Sequence, residues 1–274
     1  MPVRRGLLAG PVLDVAPKLL GMVLRSTTQE GTVAVRLTEV EAYDGANDPG
    51  SHAYRGPTAR TEVMFGPPGF LYVYFTYGMH FCMNVVAGPD GKPSAVLLRA
   101  GEVIEGLDLA RTRRGHPTEE QPAFNQTAPA ALEQPHAARK ETPSIRGEAP
   151  DIRGEAPDIR GEVPGGGGVP GVESAASGVR QGPVVKRPKA SPDRDLARGP
   201  ARLCVALGIG RAANGIDLLA KHSPIQLLPG PGYDGEPSTG PRVGLRDAAD
   251  RPWRFWIPND PTVSPYRPHV PKRR

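Results

Sequence analysis

Phe70-Leu71-Tyr72-Val73-Tyr74-Phe75-Thr76-Tyr77-Gly78-Met79-His80-Phe81-Cys82-Met83-Asn84-Val85-Val86 is the stretch on which the reading of this chain turns. The 274 residues hold 7 Tyr, 6 Phe and 2 Trp, and seven of these aromatics lie between Phe65 and Phe81. Leu71 to Thr76 reads as a strand, with aromatic and β-branched residues and no breaker inside. Pro67-Pro68-Gly69 punctuates its start and Gly78 its end. His80 to Val86 reads as a second strand, so residues 76–79 form a hairpin tip. A period of two sets Tyr72 and Tyr74 on one face and Val73 and Phe75 on the other. Tyr77, beside the turn glycine, has room to protrude.

Working outward, Leu13 to Val23 carries apolar residues at helical spacing, with Asp14 as N-cap and Gly21 as stop. Thr32 to Tyr43 alternates as a strand. Residues 44–69 are loop-like, rich in Gly, Pro, Asp and Asn. Beyond the turn Gly88-Pro89-Asp90-Gly91, Ala95 to Arg99 is a buried strand. Glu102 to Arg113 reads as a helix, acidic at its start and basic at its end, as the helix dipole prefers. Gly199 and Gly208 bracket a short helix with Pro200 at its first position. Short strands are expected at Ile225–Leu228, Arg242–Leu245 and Trp253–Ile257, then a mobile basic tail over 267–274. Helices and strands do not alternate regularly. The expected fold is α+β, a single domain around a curved, largely antiparallel β-sheet with short flanking helices.

Composition breaks near Gly115. No aromatic residue lies between Phe124 and Tyr233. Ile145-Arg146-Gly147-Glu148-Ala149-Pro150-Asp151 repeats from Ile152 and decays from Ile159 into Gly165–Gly168. Gly and Pro in each repeat forbid a coiled coil despite the period of seven. Such a segment cannot bury enough apolar surface to offset its ordering entropy. Residues 115–192 are therefore expected to be a disordered insertion, leaving 1–114 and 193–274 as one domain. The insertion holds nine basic and ten acidic residues, a net −1, so the rest carries +6 against the chain's net +5. That basicity favours an anionic partner. Cys82 and Cys204 show neither metal-ligand nor disulfide spacing, which points to a reducing, cytosolic setting. No apolar run approaches membrane-spanning length, and Pro11 and Asp14 interrupt the faint signal-like start at Arg4-Arg5.

Glu39-Val40-Glu41-Ala42-Tyr43 ends the first strand, and His52 follows within Ser51-His52-Ala53-Tyr54-Arg55-Gly56. Glu39, Glu41 and Tyr43 share a face by the period of two. Two carboxylates beside a Tyr and a His are more than a solvated strand end requires. An aromatic slot with an apolar wedge next to it is what an enzyme needs to extract a base from DNA; a core hairpin rich in aromatics is the plainer alternative.

These motifs, with Gly69 to Asn84, Val96-Leu97-Leu98-Arg99-Ala100 and Gly199-Pro200-Ala201-Arg202-Leu203, resemble the alkyladenine (3-methyladenine) DNA glycosylase family over about residues 12–114 and 194–264. The resemblance implies a general base at Glu41 and base-stacking walls at Tyr43, His52 and Tyr74. It implies a duplex-filling wedge at Tyr77. Asn84 would crowd the exocyclic amine of normal guanine, and Arg99 would lie near the backbone of the flipped nucleotide. It further implies a cytoplasmic, nucleoid-associated monomer acting on damaged double-stranded DNA. Pro57-Thr58-Ala59-Arg60-Thr61 departs from the family pattern at Ala59.

The chemistry is coherent with these residues. A purine alkylated at N3 or N7 is cationic, and electron-rich rings attract it by about 1–2 kcal/mol each. A carboxylate beside the sugar activates water and opposes the charge of an oxocarbenium-like transition state. No cofactor or metal is called for. With no lysine near the motifs (Lys92 is in a turn), a monofunctional hydrolase is expected rather than a lyase. The residue-level alternatives are a loop histidine at His52, core packing at Tyr72, a backbone-paired Asn84 and an Arg99 that ion-pairs with Glu39 or Glu41. At the level of function, they are a catalytically silent nucleic-acid binder on the same scaffold and an interaction hub working through the insertion.

Overall fold

The computed structural model describes residues 2–76, 78–115 and 193–270. Two one-turn helices, α1 (Arg5–Leu8) and α2 (Val12–Val15), lead through a 3-10 turn at Ala16–Leu19 into β1 (Val23–Thr28) and β2 (Gly31–Tyr43). β3 (Leu71–Thr76) and β4 (His80–Ala87) form the aromatic hairpin, followed by β5 (Ser94–Glu105) and α3 (Leu107–Gly115). After residue 192 come α4 (Pro200–Leu207), β6 (Ile225–Leu228), β7 (Ser238–Gly240) and β8 (Arg254–Trp256). The strands make one eight-stranded sheet in the order β3-β4-β5-β2-β1-β6, with β8 joining β2 and β7. Every pairing among the described residues is antiparallel. This is the α+β single domain that the sequence leads one to expect.

Strand alternation divides the apolar residues between two clusters. Leu71, Val73, Val85 and Val96 join the main core with Leu37, Leu98 and the α4 residues Leu203, Cys204 and Leu207. Their neighbours Tyr72, Val86 and Ala95 turn to the other face and meet Ala53 and Met64 from the loop before β3. A large-to-small substitution in the main core, such as Leu98→Ala, costs about 2–5 kcal/mol. The second cluster is small and carries the site. Its loop is held close at Gly45, where φ is +51° and a side chain would collide with the Pro93 carbonyl. α4 follows its sequence bracket: Pro200 opens it, and Gly208 ends it in the left-handed conformation, bonded to the Cys204 and Val205 carbonyls.

Three expectations need correction. Leu13–Val23 is not one helix. Pro17 lacks the amide that an α-helix would use, so α2 stops at Val15 and a 3-10 turn takes over. Pro11, not Asp14, precedes α2, and Val23 starts a strand. Second, the strand expected at Ala95–Arg99 runs on to Glu105, and the helix begins only at Leu107. β2 is thirteen residues long and keeps pairing with β5 across residues whose composition suits a helix. Gly106, at φ +72°, makes the break. Third, Arg242–Leu245 is a turn, and the strand of that region is β7, a few residues earlier. The insertion, except for Gly115, lies outside the described residues, as do Tyr77 and the last four residues of the tail.

Candidate active site

β2 delivers the acidic side chains and the bulges aim them. Thr38 is an extra residue on β2 between Leu37 and Glu39, and Arg99 is an extra residue on β5 opposite Glu39 and Val40. Such irregularities re-aim side chains next to functional sites. Here they gather Glu39, Glu41 and Arg99 in the interior. The two carboxylates have no solvent exposure.

They are partnered differently. Glu39 accepts from Arg99 Nε at 2.7 Å, Arg254 Nε at 2.7 Å, and the Ser264 amide and hydroxyl at 2.6 and 2.9 Å. Three of these bonds fall on Oε1 and one on Oε2, and none of the donors lines the aromatic slot. Glu41 Oε1 accepts the Val243 amide at 2.8 Å and lies 3.2 Å from Arg99 Nη1. Its Oε2 accepts only the Tyr43 hydroxyl, at 2.9 Å, which leaves that oxygen a free lone pair. Burial opposes the Arg99 charge, but the Glu41 and Glu39 carboxylates outweigh it and hold the guanidinium above its ordinary value. Of the two alternatives for Arg99, the structure displays the ion pair, with both acids at once.

The aromatic walls lie beside Glu41. Tyr43, His52, Tyr72, Tyr74 and Asn84 line one pocket with Ser51, Met64 and Leu245. Tyr72 and Tyr74 stack with centroids 5.6 Å apart. His52 stands edge-on to Tyr74 at 4.6 Å, and its Nδ1 is 3.1 Å from the Tyr72 hydroxyl. Although its outer edge is exposed, the packed part of the ring is desolvated. That burial first, and the Arg60 charge second, push its pKa down to about 4. Burial, then the charge of Glu41, holds the Tyr43 phenol well above its ordinary range, so it stays the donor in its bond to Glu41. Burial does the same for Tyr74. Asn84 donates to the Tyr72 carbonyl at 3.2 Å and still faces the pocket. Tyr72 packs in the core and lines the slot at once. The structure therefore gathers Tyr43, His52, Tyr74 and Asn84 around one pocket, with Glu41 bonded to Tyr43 behind it. Arg99 touches Glu41 from behind, and Tyr77 lies outside the described residues.

Several contributors escaped the sequence reading. Arg242, 1% exposed, is ion-paired to the buried Asp48 and bonds the Ala42 carbonyl at 3.0 Å. Arg254, Ser264 and the Val243 amide complete the carboxylate cluster. A second depression adjoins it, lined by Arg99, Arg198, Arg202, Val243, Ser264 and Arg267. No local pattern in the sequence marks Arg242, Val243, Arg254 or Ser264, because their partners on β2 are about two hundred residues away.

A flat slot of aromatic rings, with a half-committed carboxylate at its end and arginines beyond, suits the removal of a base from a nucleotide, the work of the hydrolases called DNA glycosylases. Comparison with known proteins agrees. The chain belongs to the methylpurine-DNA glycosylase family, whose model matches residues 7–134 and 177–261, and its function is that of a DNA glycosylase in base-excision repair. It is 45% identical over 276 residues to a protein of Streptomyces avermitilis named "Putative 3-methyladenine DNA glycosylase", covering 100% of this chain and 95% of that protein. Proteins with the same printed name from Leifsonia xyli and Nocardia farcinica are 44% and 40% identical, covering 94% and 92% of this chain and 89% and 85% of theirs. The family match reaches past both edges of the compositional break and leaves out 135–176. Among the described residues, no helix is long and apolar enough to cross a membrane.

Proposed function

We propose that this chain flips an alkylated or deaminated purine out of double-stranded DNA and hydrolyses its N-glycosidic bond, leaving an abasic site. The base enters between Tyr43 and the His52–Tyr74 wall, and Asn84 rejects the guanine amine. Tyr77 fills the gap in the duplex. The phosphates beside the flipped nucleotide lie toward Arg198, Arg202 and Arg267, with Arg99 behind them. Glu41 Oε2 takes a proton from water as the water oxygen bonds to the sugar C1′. The glycosidic bond breaks and its electron pair leaves with the base nitrogen: an alkylated, cationic purine departs neutral and the proton on Glu41 passes to solvent, whereas a neutral base such as hypoxanthine takes up one proton, balanced by the one that Glu41 gained from water. The carboxylate also opposes positive charge on the sugar.

The observation that carries this reading is the position of Glu41: one oxygen touches a wall of the slot, and the other touches the Val243 amide and Arg99 of the basic depression. A base in the slot with its phosphate in the depression would set the sugar beside it. Among the described residues no lysine lines the pocket to form a Schiff base, which supports simple hydrolysis by a monofunctional enzyme. The protein acts as a cytoplasmic, nucleoid-associated monomer in this reading. Short duplexes, each carrying one lesion (3-methyladenine, 7-methylguanine, hypoxanthine or an etheno adduct), test it. Alkali-sensitive abasic sites are expected from at least one. Lesion binding with no release of any base would instead make the chain a silent binder.

A further inference from the structure

The arginines inside the site are matched by acids: Arg99 by Glu39 and Glu41, Arg254 by Glu39, and Arg242 by Asp48. Arg60 is different. Its guanidinium carbon lies 5.4 Å from the centre of the Tyr74 ring, within cation–π range, and no ion pair holds it among the described residues. Its backbone is fixed even though its side chain is exposed. Thr58 and Thr61 bracket it with reciprocal bonds: the Thr58 amide to the Thr61 hydroxyl at 3.0 Å, the Thr61 amide to the Thr58 hydroxyl at 3.2 Å, and the two hydroxyls 2.9 Å apart. Thr61 is buried, and the 3-10 helix Glu62–Phe65 follows directly. The backbone that carries the charge is thereby fixed beside the slot, and the guanidinium lies over the Tyr74 ring.

We propose that Arg60 sets the charge preference of the slot. Being an unmatched positive charge at its mouth, it disfavours purines that carry a formal positive charge and weights excision toward neutral lesions. The proposal rests on the base-excision reading above and adds the substrate class. A guanidinium over Tyr74 already engages the ring electrons that would attract a cationic base, and it repels such a base directly. A neutral base meets neither penalty. At the separations and partial exposure involved, like charges disfavour one another by roughly a 3- to 10-fold factor. The depressed pKa of His52 is a second sign that this charge is felt within the slot.

The test compares 7-methylguanine, a cationic lesion, with hypoxanthine, a neutral one, in the same duplex sequence. Single-turnover excision efficiency is measured for the parent, Arg60→Gln and Arg60→Lys. Arg60→Gln should raise the 7-methylguanine to hypoxanthine ratio about 3- to 10-fold, and Arg60→Lys should keep the parent ratio. Using the ratio removes any effect on DNA affinity common to both substrates. An unchanged ratio in Arg60→Gln overturns the proposal and assigns Arg60 to the DNA backbone. A ratio in Arg60→Lys that shifts as in Arg60→Gln overturns it too, since the charge would then be irrelevant. A parent that removes neither lesion defeats the base-excision reading, a separate failure.

Discussion

The Arg242 guanidinium carbon lies 4.6 Å from the centre of the Tyr43 ring, so one base-binding wall rests on a buried cation. The same arginine pairs with Asp48, whose carboxylate also accepts the Gly50 amide at 3.0 Å in the loop that carries His52. The next residue, Val243, supplies the amide that holds Glu41. One side chain and its neighbour thus fasten the acid and two walls of the slot.

Replacing Arg242 should therefore damage more than one function. Arg242→Met leaves the buried Asp48 with only the more distant Arg251, at 3.9 Å, as a cationic partner; breaking a buried pair typically costs about 3–5 kcal/mol. Arg242→Lys keeps the charge but loses the planar fork, so it should fall between parent and Met. Urea unfolding measures the loss, and excision at low temperature should show weaker lesion binding. An Arg242→Met chain as stable as the parent would mean that the pair is dispensable.

Glu41→Gln keeps shape but removes the charge. It should slow hypoxanthine excision by about 100- to 10,000-fold, with lesion binding retained. Cationic 3-methyladenine, a better leaving group, should keep more activity. Glu39→Gln is the control. Its four hydrogen bonds are structural, so it should lower stability by about 3–5 kcal/mol while folded molecules still excise. Parent-like hypoxanthine cleavage by Glu41→Gln would remove Glu41 from the mechanism.

Asn84→Ser should release guanine from undamaged duplex above the parent's background. The shorter side chain takes away a clash, so discrimination relaxes without new attraction. Asn84 also bonds the Tyr72 carbonyl, and a modest fall in melting temperature should accompany the change. Guanine release that stays at background, with lesions processed normally, would make Asn84 purely structural.

His52 should titrate near 4 rather than at its ordinary 6.5, because burial and then Arg60 disfavour its protonated form. Between those two values the unfolded chain takes up a proton that the folded chain refuses. Stability from this group is complete above about pH 6.5 and declines as pH falls toward 4. Ring-proton NMR shifts report the midpoint directly, and Arg60→Gln should move it upward. A midpoint at or above 6.5 would show that His52 is solvated and no part of a packed wall.

Much of the fold was legible because it depends on neighbours in the chain. The period of two in Leu71–Thr76 already separates Val73 from Tyr72 and Tyr74, and Pro200 and Gly208 already bound α4. The candidate residues Glu41, Tyr43, His52, Tyr74 and Asn84 were singled out by their motifs; Tyr43, His52, Tyr74 and Asn84 line one pocket, and Glu41 is bonded to Tyr43. Tertiary structure decided what depends on remote partners. β5 extends to Glu105 because β2 offers a long edge, and that pairing overrides local helical composition. Of the two acids that share a strand face, Glu39 is turned to Arg254 and Ser264, more than two hundred residues away, and Glu41 to Tyr43 of the slot. The alternation of a strand settles which way a carboxylate points; only the partners that the fold brings to it settle whether it meets the slot or the interior.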